Sequence, residues 1–292
     1  MIQGQNVIMA QDHAVHKSRA EVFYTARIKT YPTGDMELMT ASAPVFRLPG
    51  YEPADSWEIG PARHKVSDKS DAKKSAENVE RSMRRAASQL RDVALSTPFK
   101  WFVTLTISPD KLDRHDDQAV LRAFRVWANN AVQRSGIAYA VVPERHKDGA
   151  IHFHGFVTDG LPMVDSGTLS VPGRKKPIRP KSAENRAELL QNGAKIVYNV
   201  PGWSWGFSTA LPISGDYGAA VSYVCKYVRK EAEKIGGRWV YKGGALGRPV
   251  VELADIDIRE HEAADGASYT FEAGGVCFRI TRARMPVRAD GD

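Results

Sequence analysis

Two cysteines, Cys225 and Cys277, are too few for a disulfide framework and cannot build a CxxC…CxxC zinc site. No apolar run approaches the roughly 20 residues that span a bilayer. The opening MIQGQNVIMAQDHAVHKSRA lacks the basic-then-apolar layout of a secretory signal. These absences make a protein of the reducing cytoplasm, with no membrane partner, the expectation. Internal repeats are missing too. A hydrophobic share of 42% against 26% charged residues excludes a fully disordered chain. The 292 residues suffice for a proper core, as one large domain with extensions or two small ones. What the chain has in excess is positive charge: Lys+Arg 41 against Asp+Glu 34, a formal +7, with a pI near 9.3. Such a protein attracts polyanions, of which nucleic acid is the commonest in a cytoplasm. Charge alone assigns no function.

Residues 1–74 are polar and punctuated by Pro and Gly, without a sustained period. VFYTARI and ELMTA have strand character, and Leu48 to Lys74 reads as loop or disorder. From Ser75 the pattern changes. Val79, Met83, Ala86, Leu90 and Val93 recur at helical spacing. Arg81, Arg84 and Arg85 lie on the other faces of that helix, as a solvated surface or as phosphate contacts. After Thr97-Pro98, WFVTLTIS alternates as a strand does. Asp113 to Ser135 reads as a helix ending at Gly136, Ile137 to Glu144 and Ala150 to Val157 as the strands of a hairpin. This order predicts an α+β domain with a mainly antiparallel sheet and a helix on one face. Residues 158–182 form a long connection with four prolines and the cations Arg174, Lys175, Lys176, Arg179 and Lys181, a cation-rich mobile loop by its composition. A short helix (AENRAELLQ), a strand around Trp203 to Leu211 and a helix from Tyr217 to Glu233 follow. Residues 251–292 are a tail with some alternation, as in SYTFEA and VCFRITRA.

The densest cluster of reactive side chains is ERHKDGAIHFHGFV. His152 and His154, two apart on a strand, leave the same face, while Ile151, Phe153 and Val157 point to the other. Glu144, at the end of the preceding hairpin strand, can reach across to the same face. Two imidazoles and a carboxylate on neighbouring strands compose an open divalent-metal site. A strand cap plus an exposed histidine is the plainer alternative. His146 competes as third ligand but falls in the tight turn. The second cluster is SYVCKYVRKE. Tyr223, Lys226, Tyr227 and Lys230 share one helical face, and Val221, Val224, Cys225 and Val228 share the opposite one. The apolar stripe can dock the helix and project two phenols with two ammonium groups. A phenol has a pKa of about 10 and attacks poorly at neutral pH. Adjacent ammonium groups and a metal-polarised phosphate would make it a competent nucleophile for phosphodiester transesterification. Packed tyrosines with snorkelling lysines are the competing reading.

With both clusters in place, the chain resembles a rolling-circle replication initiator of the HUH endonuclease superfamily. FVTLTIS is similar to the family's first motif, IHFHGFV to the second, with His152 and His154 as the HUH pair, and YVCKYVRK to the third. Tyr223 and Tyr227 stand as in the two-tyrosine subgroup of single-stranded DNA phages and some plasmids, Glu144 matches the usual third ligand, and WSWGFSTALPI resembles the strand before the tyrosine helix. The resemblance covers roughly 75–250.

That resemblance implies a ferredoxin-like or RNA-recognition-like sandwich whose sheet carries the His pair. It implies nicking and joining of single-stranded or extruded origin DNA: Mg²⁺ or Mn²⁺ held by His152, His154 and Glu144, attack by Tyr223 or Tyr227, a 5′-phosphotyrosine link, and Lys226 and Lys230 steadying charge. No GxxxxGK[ST] loop is present, so a separate host helicase, with a polymerase, is the expected partner. Within the superfamily a transposase or relaxase is an alternative, although relaxases commonly carry the tyrosine before the His cluster. A non-catalytic nucleic-acid-binding protein and a metal-dependent hydrolase that uses water are the others.

Overall fold

The computed structural model describes residues 7–10, 13–16, 22–47, 70–214, 217–230, 233–260, 267–273 and 275–284. They fall into two compact units, one from 1–68 with 249–292 and the other from 69–248. No helix among them is long and apolar enough to cross a membrane.

The unit of 69–248 opens with α1 (Ser70–Ser96), which begins five residues earlier than the expected Ser75. Its buried side runs through Ala87, Leu90, Val93, Ala94 and Leu95, whereas Val79 is exposed, so the apolar stripe works only in the second half. Then come β5 (Trp101–Thr106), α2 (Asp117–Ser135), β6 (Tyr139–Arg145) and β7 (Ile151–Val157). Helix α2 starts where the Asp116 carboxylate accepts the backbone N–H of Gln118 and of Ala119. It stops at Gly136, whose left-handed φ of 63° suits a residue without Cβ. Next are β8 (Val164–Ser170), α3 (Ala183–Gln191), β9 (Lys195–Asn199), β10 (Ser208–Pro212), α4 (Tyr217–Val228) and β11 (Tyr241–Gly243).

Seven strands form one antiparallel sheet in the order β11-β6-β7-β5-β10-β9-β8. Strand β7 lies between β5 and β6, so the β5–α2–β6 segment straddles it. Alternation assigns the faces. Val103, Leu105, Val141, Ile151 and Phe153 bury against α2, where Phe153 and Phe124 stack with centroids 4.2 Å apart. The opposite face is covered by α4, which packs on α1 and over β6 and β7. Helices therefore lie on both faces rather than the one expected.

Two expectations need correction. The 158–182 connection is not one loop: it contains the edge strand β8, paired with β9, and a bridge from Leu169 to Ile178. Helix α4 ends at Val228 and not at Glu233, its last turn closing through Arg229 N to Lys226 O and Lys230 N to Tyr227 O.

The other unit pairs the two ends of the chain. Strands β3 (Val22–Thr30) and β4 (Asp35–Arg47) make a hairpin, and β12 (Val250–Ala254), β13 (Ala267–Ala273) and β14 (Val276–Arg284) complete a five-stranded sheet ordered β12-β3-β4-β14-β13. Residues 22–47, expected to be poorly structured or accessory, are thus regular strand paired with the C-terminal strands. A row of Lys29, Glu37 and Arg282 crosses three of them with ion pairs of 3.6 and 2.8 Å. Burial opposes ionisation of Glu37, yet the two cations outweigh it and hold the carboxyl below its usual range. A slip of one residue would bury that carboxylate unpaired, so the row helps fix the register. Two short strands, β1 (Val7–Ala10) and β2 (His13–His16), pair separately. The segment 48–69, read as loop, lies outside the described residues, as does Glu231.

Candidate active site

The chemistry-bearing side chains sit on the α4 face of the seven-stranded sheet, fixed by strand register. One row runs Thr106–His152–Glu144 across β5, β7 and β6, and the next runs Thr104–His154–Val142. Residues directly opposite one another share a face, so the histidines are flanked by threonine hydroxyls on one side and a carboxylate on the other. Each hydroxyl engages a ring: Thr106 Oγ1 is 2.9 Å from His152 Nδ1, and Thr104 Oγ1 is 3.1 Å from His154 Nδ1. The imidazoles stand 6.3 Å apart and nearly parallel, at 17°. The same residues on a slipped strand would face α2, which makes the alternation of FVTLT and IHFHG the local cause of the site. Gly155, next in β7, has no room for a side chain: a Cβ there would lie 2.2 Å from Ala140 O.

His154 Nε2 is 3.1 Å from Glu144 Oε2. A carboxylate only accepts, so Nε2 carries the proton and Nδ1 accepts from Thr104. Burial pushes against ionisation of Glu144, but its bonds from His154 and Lys230, with their charges, prevail and hold the carboxyl below its usual range. Burial, reinforced by His146 and His154, depresses the His152 imidazole to about 4. His152 is therefore neutral at pH 7, the form that offers a lone pair to an electrophile. His146, set aside as a ligand because it falls in the turn, stacks over His152 at 4.7 Å, with its Nδ1 3.8 Å from Asp148.

Helix α4 places both tyrosines on this face. Val221, Val224 and Val228 are fully buried, and Cys225 is half-buried with its thiol 3.6 Å from Ala87 O on α1. Opposite that stripe, the Tyr227 ring stacks on His154 at 4.6 Å and 8°, and Tyr223 packs edge-on against Phe102 at 6.0 Å. The Tyr227 hydroxyl donates to the Tyr223 hydroxyl at 2.6 Å. Tyr227 is thereby enclosed, whereas Tyr223 is 51% exposed. Burial raises the Tyr227 phenol well above its ordinary value, and the bond to Tyr223 and the nearby Tyr223 and Glu144 charges add to this.

That arrangement corrects one expectation. Lys230 does not draw down the phenol: its ammonium bonds Glu144 Oε1 at 2.5 Å and lies 5.3 Å over the Tyr227 ring face. Lys226 is exposed on the helix. The cations named for nucleic acid are all exposed: Arg81, Arg84 and Arg85 along α1, with Arg84 paired to Glu80, and Arg174, Lys175, Lys176, Arg179 and Lys181 between β8 and α3. The structure thus gathers His152, His154, Glu144, Tyr223, Tyr227 and Lys230. Thr104 and Thr106 were missed as site residues, although their alternation with Val103 and Leu105 already set them on the histidine side.

Among the described residues no group of three or more His, Cys, Asp or Glu side chains stands ready to hold a metal ion. The donors nonetheless suit one. His152 is neutral, His154 is tied at Nδ1 to a hydroxyl that orients its other nitrogen, and the adjoining carboxylate already takes a cation in Lys230. Ligation at His154 requires its Nε2 proton to leave.

Residues 100–232, a little under half of the chain, match the family model for the replication-associated protein ORF2. That stretch holds the His pair, Glu144 and both tyrosines, and the match supports a role in replication initiation. No curated protein and no solved structure matches the chain.

Proposed function

We propose that this protein nicks and rejoins a DNA strand at a replication origin by tyrosine transesterification, as an HUH-type initiator of a plasmid or phage. One observation carries the reading: the two phenols, joined by a hydrogen bond, lie directly over the histidine-bearing strand, with Tyr227 stacked on His154 at 4.6 Å. A purely packed helix has no use for a second, half-exposed tyrosine above paired imidazoles. The straddled β5–α2–β6 arrangement supports the ferredoxin-like or RNA-recognition-like type of sheet.

In the proposed reaction Tyr223 or Tyr227 attacks the scissile phosphorus. A bond forms between the phenolic oxygen and phosphorus, the bond from phosphorus to the 3′ oxygen breaks, and the proton lost by the phenol is balanced by the proton gained at the 3′ hydroxyl. The product is a 5′-phosphotyrosine with a free 3′ end. The phosphodiester energy is retained, so the second tyrosine or a 3′ hydroxyl can reverse the step. Mg²⁺ or Mn²⁺, held by His152, His154 and Glu144, would polarise the phosphate when bound. The threonine hydroxyls hold both rings in orientation. On this reading Lys230 leaves Glu144 when phosphate enters and steadies the charge there with Lys226. Exposed Arg81, Arg84 and Arg85, with the 174–181 cations, contact phosphates along the bound strand. A duplex would keep the phosphate from the nucleophile, so the substrate is single-stranded or extruded, with host helicase and polymerase acting on the nicked strand.

The test uses the protein with Mn²⁺ and a 3′-labelled single-stranded oligonucleotide pool of random sequence. A label that stays on the protein through denaturation is expected, and it is lost in the Tyr223→Phe/Tyr227→Phe double variant and in His152→Ala. Cleavage persisting in the double variant would assign the attack to water and end this reading. Salt-sensitive binding with neither adduct nor cleavage would leave a non-catalytic binding protein.

A further inference from the structure

Phe207 is 79% exposed, a higher fraction than any other large apolar side chain among the described residues. Its backbone, by contrast, is tightly held. Thr106 N donates to Phe207 O at 2.8 Å, and Ser108 N donates to Trp205 O at 2.9 Å. The buried Trp203 anchors the same stretch through Nε1 to Thr106 O at 3.0 Å. Between them Gly206 runs so close to β5 that a Cβ would sit 2.3 Å from Thr106 O and 2.5 Å from Ser108 N. An aromatic ring presented to solvent on a fixed backbone loses little freedom when it takes a partner.

Its placement decides which partner. The β10–β5 register sets Ser208 opposite Leu105, and the Thr106–Phe207 bond continues it by one step. Phe207 is then opposite Thr106, Thr106 opposite His152, and His152 opposite Glu144. Residues in one such row share a face, and neighbouring strands are about 4.8 Å apart, so the Phe207 backbone lies roughly 10 Å from that of His152. Thus the ring stands on the face that carries the histidines and tyrosines, at the end of their row away from α4.

We propose that Phe207 is a stacking platform for a nucleobase of single-stranded DNA next to the phosphate at the His pair. A flat ring has a π face that any base can cover, and cations hold the backbone that carries the base. The inference rests on the reading that this face handles single-stranded DNA, and it adds a base-binding position that the motifs do not contain.

The experiment measures binding of fluorescein-labelled oligo(dT), and of an abasic oligomer with the same phosphates but no bases, by anisotropy. Wild-type protein is expected to prefer oligo(dT). Phe207→Ala should weaken oligo(dT) binding by about tenfold, the order of one lost stacking contact, and leave the abasic oligomer unaffected. Phe207→Trp should retain the preference and Phe207→Leu should lose it. Unchanged oligo(dT) binding in Phe207→Ala overturns the proposal. So does an equal loss for both oligomers, or a loss of self-association alone. Adduct formation is scored separately on the wild-type protein. If no adduct forms while the Phe207 dependence holds, the nicking mechanism fails and the platform stands. If adducts form and Phe207→Ala binds normally, only the platform fails.

Discussion

At His152 the packing that makes a strand also sets a charge state. The ring is drawn off water between Thr106, His146 and the sheet, and its imidazole is held to about 4 against an ordinary value of 6.5. Between those two values the unfolded chain takes up a proton that the folded protein refuses. Acidification through that window therefore favours unfolding. With chelator present, the melting temperature should fall as pH drops from 6.5 toward 4, level off with respect to this group below 4, and owe nothing to it above 6.5. Glu144 works in the same direction in a lower window: its carboxyl is depressed from 4.5, so its contribution is present above that value and lost as pH falls through its folded value. The two separate by variant. His152→Asn should flatten the slope between pH 6.5 and 5 and leave the steeper loss below 4.5. An identical slope in the variant would show that His152 is not held neutral. The pair at His154 was legible only in part: a two-residue spacing announces a shared face, but the direction of the Glu144 bond and the occupation of Lys230 depend on distances between strands, which spacing does not encode.

At the level of elements, legibility followed burial. Strand β5 alternates because one side meets α2 and the other meets α4, so Trp101, Val103 and Leu105 revealed it. The same logic gave β7 and the docking stripe of α4. Strand β8 was missed because it is an edge strand whose first residues, Val164 and Asp165, are exposed. Its pairing leans on Ser166, whose hydroxyl donates to Val197 O, and not on a hydrophobic pattern. The end of α4 was overextended because its period continues to Lys230 while the backbone turns. The pairing of β3 and β4 with β12, β13 and β14 joins segments more than 200 residues apart, as in Thr30 with Val250, and no local pattern carries that. Gly155 shows the reverse, a residue whose necessity appears only in three dimensions. A methyl group there would meet Ala140 O at 2.2 Å and Val141 Cα at 2.6 Å, both backbone atoms of a central strand, and neither can yield. Gly155→Ala should cost about 3 kcal/mol or more, read as a lower denaturant midpoint with an unchanged slope. Gly136→Ala serves as control: it has open space and only a left-handed φ to strain, so its cost should be about 1 kcal/mol. Equal effects would mean that β6 and β7 do not pack this closely.

Over the whole molecule, the sheet with the site is built from 69–248, inserted in sequence between the two halves of the other unit. The net +7 is spread along the chain, yet only some cations can be counterions to DNA. Arg84 is tied to Glu80, Arg282 and Lys29 serve Glu37, and Arg145 is bound to Asp117 at 2.6 Å. Arg174, Lys175 and Lys176 are exposed in one run between β8 and α3. A cation that neutralises a phosphate releases a condensed counterion, and for single strands each such contact adds about 0.7 to the slope of log K against log salt. If all three bind phosphate, Arg174→Ala/Lys175→Ala/Lys176→Ala should reduce the salt slope of oligo(dT) binding by about 2, while the stacking preference conferred by Phe207 remains. Arg81→Ala/Arg85→Ala provides the comparison on α1, where a solvated face and a phosphate-contacting face were both open. A smaller slope in that variant assigns α1 to the DNA, and an unchanged one makes it solvent-facing. An unchanged slope in the triple variant would remove 174–176 from the interface, and the chain's excess charge would then act through long-range attraction rather than through contacts there.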